Sequence, residues 1–245
     1  MLKASFHKYT LKFTEDRGTS RGWMKTKDSW IIKVWEESQP DAIGIGECSY
    51  LNGLNPEKLN SYESKIEEVC NRINEHEFWL EEGLVEFPSI HFGLEVALLD
   101  LEKKGSKILF ETPFSLNENP IPINGLIWMG SFENMMNQVD EKIAAGFRCI
   151  KLKIGAIDFE KELHILKSIR KKSTSIELRV DANGAFSPTE ALEKLKQLAE
   201  YNIHSIEQPI KQGFPATMNQ LCKESPIQIA LDEELIGKFT LDSKA

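Results

Sequence analysis

The first third of the chain shows a period-two alternation of apolar and polar residues, with β-branched and aromatic side chains. This pattern predicts strands over residues 3–14, 29–37 and 42–51. Between the first two strands lies a polar stretch, residues 15–28, which includes Arg21. A polar stretch of this kind is typical of a surface connection, and it is also where a lid over an active site could lie.

Apolar positions then recur at helical spacing over residues 58–74 and 90–104, and Gly105 is a plausible helix stop. Three strands followed by helices predict an α+β unit. A turn-rich connection over residues 112–120 contains four prolines and asparagines, Pro113, Asn117, Asn119 and Pro120. We therefore predict an α+β capping domain over residues 1–118.

From residue 119 the pattern becomes a regular alternation of short apolar segments and amphipathic helices. The predicted strands are residues 121–128, 149–154, 176–180, 204–207 and 227–231. Strand–helix repeats of this length predict an α/β fold, a modified TIM (β/α) barrel. A complete barrel has eight such units. We therefore expect residues 119–245 to form a partial barrel, truncated after its fifth strand.

Four of these strands end in residues that can perform chemistry. Lys153, Asp181, Glu207 and Asp232 follow one another at intervals of 28, 26 and 25 residues, about one strand plus one returning helix. Because the carboxyl ends of parallel strands meet at one mouth of a barrel, we expect these side chains to lie close together.

Lys151 and Lys153 are two residues apart on one strand, so their side chains project from the same face. Charged residues at a strand end are often simply solvated. These two lie in an otherwise apolar strand, where burial and a neighbouring ammonium would each lower a lysine pKa. A lysine with a lowered pKa can act as a base near neutral pH.

The carboxylates of Asp181, Glu207 and Asp232 would repel one another at the barrel mouth. A single carboxylate at the end of a strand is most often a helix cap or a surface charge. Together they indicate a hard divalent cation, Mg²⁺, for which Mn²⁺ could substitute, because no cysteine or histidine accompanies them. Arg179 and Asn183 share a face of the strand with Asp181 and are candidates for supporting roles.

Composition narrows the function classes. The formal net charge of −8 disfavours sequence-independent nucleic-acid binding, and no apolar run approaches the roughly 20 residues that span a bilayer. The four cysteines are scattered without a C-x-x-C pair, which favours a reducing, cytoplasmic location. Oligomeric state is not indicated by the sequence.

The motifs KLK, DAN, IEQP and LDE, in this order, resemble those of the muconate-lactonising branch of the enolase superfamily. This resemblance implies a capping domain followed by a modified TIM barrel. Within the branch, NGLIWMG, SIHFGLEVALLDLE and LRVDANGAF look most like the o-succinylbenzoate synthase family of menaquinone biosynthesis.

The resemblance implies a role for each candidate residue. Lys153 would be the proton-abstracting base, and Lys151 would tune it and bind the substrate carboxylate. The Mg²⁺ ligands would be Asp181, Glu207 and Asp232. The supporting residues would be Arg179 and Asn183, with Arg21 in the capping loop over the site. The implied reaction is the syn dehydration of 2-succinyl-6-hydroxy-2,4-cyclohexadiene-1-carboxylate to 2-succinylbenzoate, through an enediolate.

Two alternatives stay open at this point. A dipeptide epimerase or N-acylamino acid racemase of the same superfamily would share the metal site and Lys153, but would use lysines on opposite faces. The family's further lysine on the sixth barrel strand has no counterpart in this sequence. The second alternative is therefore an inactive, metal-binding fragment.

Overall fold

The computed structural model describes residues 1–19 and 22–238. The chain divides into two compact units, Met1–Ile121 and Pro122–Ala245. In the described residues, no helix is long and apolar enough to cross a membrane. Each unit has its own hydrophobic core.

The first unit contains an antiparallel sheet in the order β1 (Leu2–Thr19), β2 (Gly22–Glu36) and β3 (Gln39–Ser49). The predicted loop over residues 15–28 is wrong for the described residues, because β1 continues to Thr19 and β2 begins at Gly22. The two strands stay paired to their ends, with a register shift between Lys12 and Arg17. Backbone hydrogen bonds across a hairpin do not require apolar side chains, so the polar sequence of residues 15–28 did not predict this strand pairing.

Three helical segments follow the sheet in the chain: α1 (Tyr62–Asn71), the single turn α2 (His76–Phe78) and α3 (Pro88–Glu102). Helix α3 packs on β2 and β3, and α1 packs against β1. Helix α3 packs very closely on β3: a Cβ built on Gly46 would overlap the carbonyl oxygen of Gly93. Glycine is therefore required at this contact.

The second unit is a five-stranded parallel sheet with the sequential order β4 (Gly125–Ile127), β5 (Cys149–Lys153), β6 (Glu177–Asp181), β7 (Ile203–Glu207) and β8 (Gln228–Ala230). The connections contain α4 (Phe132–Ala144), α5 (Phe159–Lys172), α6 (Ala191–Ala199) and α7 (Pro215–Glu224). The predicted strand–helix repeat is therefore confirmed over these elements. That the barrel is truncated after the fifth strand stays a prediction.

Alternate residues of these strands form the two faces of the sheet. Ile150, Leu152, Leu178, Val180 and Ile206 are at most 1% exposed and belong to the core formed with the helices. The residues between them are mostly polar and lie on the other face. This alternation directs the candidate site residues of β5, β6 and β7 to one side.

The start of α6 differs from its prediction. The pattern predicts a helix over residues 188–201 with Ser187 as its cap, but α6 begins at Ala191. The Ser187 hydroxyl lies 3.2 Å from the Thr189 hydroxyl, and residues 188–190 form a turn before the helix. A local side-chain hydrogen bond of this kind competes with helix formation.

Candidate active site

The parallel register places three candidate residues side by side. Lys153 is paired with Asp181 across β5 and β6, and Asp181 is paired with Glu207 across β6 and β7. Glu207 is paired in turn with Ala230, two residues before Asp232. The regular spacing seen in the sequence therefore becomes a row across the carboxyl ends of adjacent strands.

The ammonium of Lys151 lies between two carboxylates. Its Nζ is 3.0 Å from Oδ2 of Asp181 and 2.6 Å from Oε2 of Glu207. Burial lowers the pKa of Lys151, but the hydrogen bonds to Glu207 and Asp181 outweigh it and leave the pKa above its usual value. The expectation that the paired lysines have lowered pKa values is therefore wrong for Lys151, because carboxylates surround it.

Lys153 has a different set of neighbours. Its Nζ lies 3.0 Å from the same Asp181 Oδ2 and donates to Oδ1 of Asn183 at 2.7 Å. It also lies 5.3 Å from the ring centroid of Trp128, within the range of a cation–π contact. Trp128 follows β4 and belongs to the NGLIWMG motif, but its contact with Lys153 was not predicted.

Asn183 connects Lys153 to a carboxylate on a more distant loop. The Asn183 backbone has φ +44°, a left-handed conformation that asparagine tolerates better than most residues. Its backbone N–H donates to Oδ1 of Asp181 at 3.1 Å. Its side-chain Nδ2 donates to Oε1 of Glu233 at 3.0 Å. The sequence gives Glu233 no distinguishing signal beyond its position next to Asp232.

Asp232 lies just beyond β8, at the start of a short 3₁₀ helix, Glu233–Leu235. Its side chain is exposed, and its backbone N–H donates to Oε1 of Gln208 at 3.1 Å. Its charge is close enough to that of Glu207 to raise the Glu207 pKa. The structure therefore brings Asp232 near the row, and Gln208 is a further contributor that the sequence pattern did not single out.

The carboxylates fit a hard cation by their chemistry. Burial is the largest effect on Glu207 and raises its pKa, and the charges of Asp181 and Asp232 raise it further, against the opposing effect of Lys151. A divalent cation would relieve this repulsion with the oxygen ligands that Mg²⁺ prefers. As the side chains stand, no three His, Cys, Asp or Glu groups converge on one point within the described residues. Instead, the ammonium groups of Lys151 and Lys153 each lie 3.0 Å from Oδ2 of Asp181, and that of Lys151 also lies 2.6 Å from Oε2 of Glu207.

One predicted supporting residue, Arg179, is not brought to this row. Arg179 is paired in register with Lys151, but its guanidinium binds the Glu177 carboxylate, with Nη2 2.6 Å from Oε1. Glu177 lies two residues nearer the amino end of β6, so Arg179 points away from the carboxyl ends of the strands. Arg21 lies outside the described residues.

Comparison with known proteins agrees with this arrangement. The domain described as "MenC, N-terminal domain" matches residues 1–101. The domain described as "Enolase C-terminal domain-like" matches residues 134–242. The two matches together cover most of both compact units.

Individual relatives give the same result. The chain is 38% identical to o-succinylbenzoate synthase of Desulfotalea psychrophila, over 96% of this chain and 72% of the relative. A crystal structure of MenC from that organism superposes with a TM-score of 0.82 at 34% identity, covering 99% of this chain and 74% of that one. A hydrophobic dipeptide epimerase of Enterococcus faecalis is 26% identical, over 95% of this chain and 70% of the relative. The chain belongs to the enolase superfamily and, within it, to the o-succinylbenzoate synthase family.

Proposed function

We propose that this protein catalyses the Mg²⁺-dependent syn dehydration of 2-succinyl-6-hydroxy-2,4-cyclohexadiene-1-carboxylate to 2-succinylbenzoate. The observation that carries the proposal is the pair of lysines on β5, each facing the Asp181 carboxylate, on a chain 38% identical to an o-succinylbenzoate synthase. A lysine base beside Mg²⁺ is the arrangement by which enolase-superfamily enzymes remove a proton adjacent to a carboxylate.

Lys153 is the proposed base. In its neutral form its Nζ takes the proton from carbon 1 of the substrate, next to the carboxylate. The bond from carbon 6 to its hydroxyl then breaks, and the new double bond completes the aromatic ring. Because both groups leave from the same face, the proton on Lys153 can pass to the departing hydroxide and form water. Asn183 Oδ1 accepts one N–H of Lys153 at 2.7 Å and so orients the amine.

Lys151 has a complementary role. Its raised pKa keeps it an ammonium at neutral pH, which suits binding of the substrate carboxylate rather than removal of a proton. The two lysines therefore divide the work: the residue between Asp181 and Glu207 stays charged, and the residue beside Asn183 exchanges the proton. Arg179 is left with a structural ion pair to Glu177 at the other end of β6.

Asp181, Glu207 and Asp232 would hold the Mg²⁺ ion. When bound, the ion would supply positive charge for the substrate carboxylate and for the negative charge that develops as the proton leaves. Three carboxylates at the carboxyl ends of neighbouring strands match the preference of Mg²⁺ for hard oxygen ligands, and Mn²⁺ takes similar ligands.

The test is an assay of the purified protein with Mg²⁺ and the cyclohexadiene substrate, with 2-succinylbenzoate identified by mass spectrometry. Wild-type protein should form the product, and Lys153→Ala should lower kcat roughly 10²–10⁴-fold, the usual contribution of a general base. Lys196→Ala is the control, because Lys196 is exposed on α6 and forms a surface ion pair with nearby Glu193. Equal rates for the wild type and Lys153→Ala would refute the assigned base.

The same preparation separates the dehydratase from the epimerase. A panel of dipeptides is incubated in D₂O, and deuterium at the α carbon is measured by mass spectrometry. Deuterium exchange into a dipeptide, without dehydration of the cyclohexadiene, would establish the epimerase alternative. Neither activity, with Mg²⁺ still bound, would establish the metal-binding fragment.

A further inference from the structure

Gln208 is a polar residue in a fully buried position. It directly follows Glu207 at the end of β7, its exposure is 0%, and its backbone φ is +41°. A buried amide without hydrogen-bond partners would destabilise the fold strongly. The arrangement of its partners therefore shows what keeps it there.

Each polar group of Gln208 has a partner. Its backbone N–H donates to the Ala230 carbonyl at 2.9 Å, and its backbone carbonyl accepts from the Gly184 N–H at 2.7 Å. Side-chain Oε1 accepts from the N–H groups of Asp232 and Glu234, each at 3.1 Å. Side-chain Nε2 donates to the Ile210 carbonyl at 2.9 Å.

These bonds join three loops. Gly184 belongs to the loop after β6, Gln208 itself to the loop after β7, and Asp232 to the loop after β8. Each of these loops follows or contains one of the proposed cation ligands. Within the described residues, the Asp232 carboxylate forms no hydrogen bond or ion pair, so its position depends on the backbone that Gln208 holds.

We propose that Gln208 is a positioning residue for the cation site, holding the loop after β8 against β7 so that Asp232 faces Glu207. This inference rests on the proposed function, because it takes the three carboxylates as the ligands of the ion. A glutamine suits the position because one oxygen accepts two N–H groups while the adjacent nitrogen donates. Neither methionine nor an ionised glutamate, which have side chains of similar length, offers both an acceptor and a donor.

The test compares Gln208→Met with Arg170→Met. Methionine keeps the volume of Gln208 but removes its side-chain hydrogen bonds. Arg170 is a matched control, because its guanidinium donates to the carbonyls of Tyr201, Ile176 and Asn202 at 2.6–2.8 Å, near the amino ends of β6 and β7. Both variants should melt at a lower temperature, by circular dichroism.

The affinity for Mg²⁺ should distinguish the Gln208→Met variant from the Arg170→Met control. Titration calorimetry with Mg²⁺ alone should show a loss of roughly 10–100-fold for Gln208→Met, as is usual when a residue that orients a metal ligand is removed. Arg170→Met should retain wild-type affinity. Hydrogen exchange of the metal-free protein should show faster exchange at the amides of Asp232 and Glu234 in Gln208→Met. If Gln208→Met does not fold, Gln208→Asn, whose amide is one methylene shorter, should show the same two changes.

Equal Mg²⁺ affinity in the wild type and the folded Gln208 variant would overturn the positioning role and leave the proposed function intact. A wild-type protein that binds no Mg²⁺ would overturn the metal assignment, and with it this inference. The two failures are therefore distinguishable, because the first appears only in the variant and the second in the wild type.

Discussion

The ammonium of Lys153 and the side-chain oxygen of Asn183 are 2.7 Å apart, and the orientation of that oxygen is set by a third residue. Asn183 carries a donor and an acceptor on the same amide, and either could face the lysine. An ionised Glu233 can only accept, so it takes the Nδ2 donor at 3.0 Å. The oxygen is thereby left facing Lys153.

Glu233→Gln should disturb this orientation. A glutamine can donate as well as accept, so the Asn183 amide can rotate and present its NH₂ to Lys153. We expect kcat for dehydration to fall on the order of tenfold, a barrier increase of about 1.4 kcal/mol, while KM changes little. Steady-state kinetics at saturating Mg²⁺ would measure both constants. Glu224→Gln, on the exposed end of α7, is the control. A rise in KM with constant kcat would contradict the orienting role.

Lys151→Met should make the protein more dependent on Mg²⁺ for stability. Without the ammonium, Asp181 and Glu207 repel each other in the metal-free protein, and a bound cation relieves that repulsion. We expect saturating Mg²⁺ to raise the melting temperature of the variant about 2–4 °C more than that of the wild type, equivalent to about 1 kcal/mol. Thermal melts with and without Mg²⁺ would measure it. Lys161→Met, exposed on α5, should behave as wild type; the same result for Lys151→Met would refute the prediction.

Asp100 should make the stability of the first unit sensitive to acid. This buried carboxylate on α3 accepts from the N–H groups of Ile45 and Lys107 at 2.9 and 2.8 Å, and from the Lys107 ammonium at 2.5 Å. Burial raises the pKa of Asp100, but the bonds from Lys107 and Ile45 outweigh it, and the pKa is lowered.

The direction of the pH effect follows from that lowered pKa. The unfolded chain takes up the Asp100 proton near pH 4, before the folded protein does, so the stabilisation is present above about pH 4 and is lost as the pH falls through the folded pKa. Asp100→Asn should lower the free energy of unfolding by about 1–3 kcal/mol at pH 7, with a smaller loss in acid. Urea unfolding across pH would test this, with exposed Glu102→Gln as control. If the free energy of unfolding of Asp100→Asn fell with decreasing pH as steeply as that of the wild type, the role assigned to Asp100 would be wrong.

The four cysteines should differ strongly in reactivity. All are free thiols; Cys48 and Cys70 are buried, and Cys222 is exposed on α7. Burial raises the pKa of Cys70 to about 11, and burial also raises the pKa of Cys48. Because the thiolate is the reactive form, a disulfide reagent at pH 8 should modify Cys222 first in the folded protein. Cys222→Ser should remove that fast phase, and its persistence would show that another thiol is accessible.

Much of the second unit is readable from the chain alone, because its chemistry follows the backbone. In a parallel sheet with regular connections, residues spaced by one strand and one helix recur at the same end. The spacing of Lys153, Asp181 and Glu207 therefore predicted their adjacency, and the register of β5, β6 and β7 confirms it. The domain pattern of strands then helices was equally visible.

The sequence did not determine which partner each side chain would bind. Arg179 shares a face with Asp181, yet it binds Glu177, because on one strand face a long side chain can reach toward either end. Lys151 and Lys153 have similar sequence settings, but only Lys151 lies between two carboxylates. The contributions of Glu233 and Gln208 come from loops far apart in sequence, whose approach depends on how the strands pack. The periodicity of the sequence thus placed the reactive residues at the carboxyl ends of the strands. Side-chain packing in the tertiary structure set the charge and orientation of each residue.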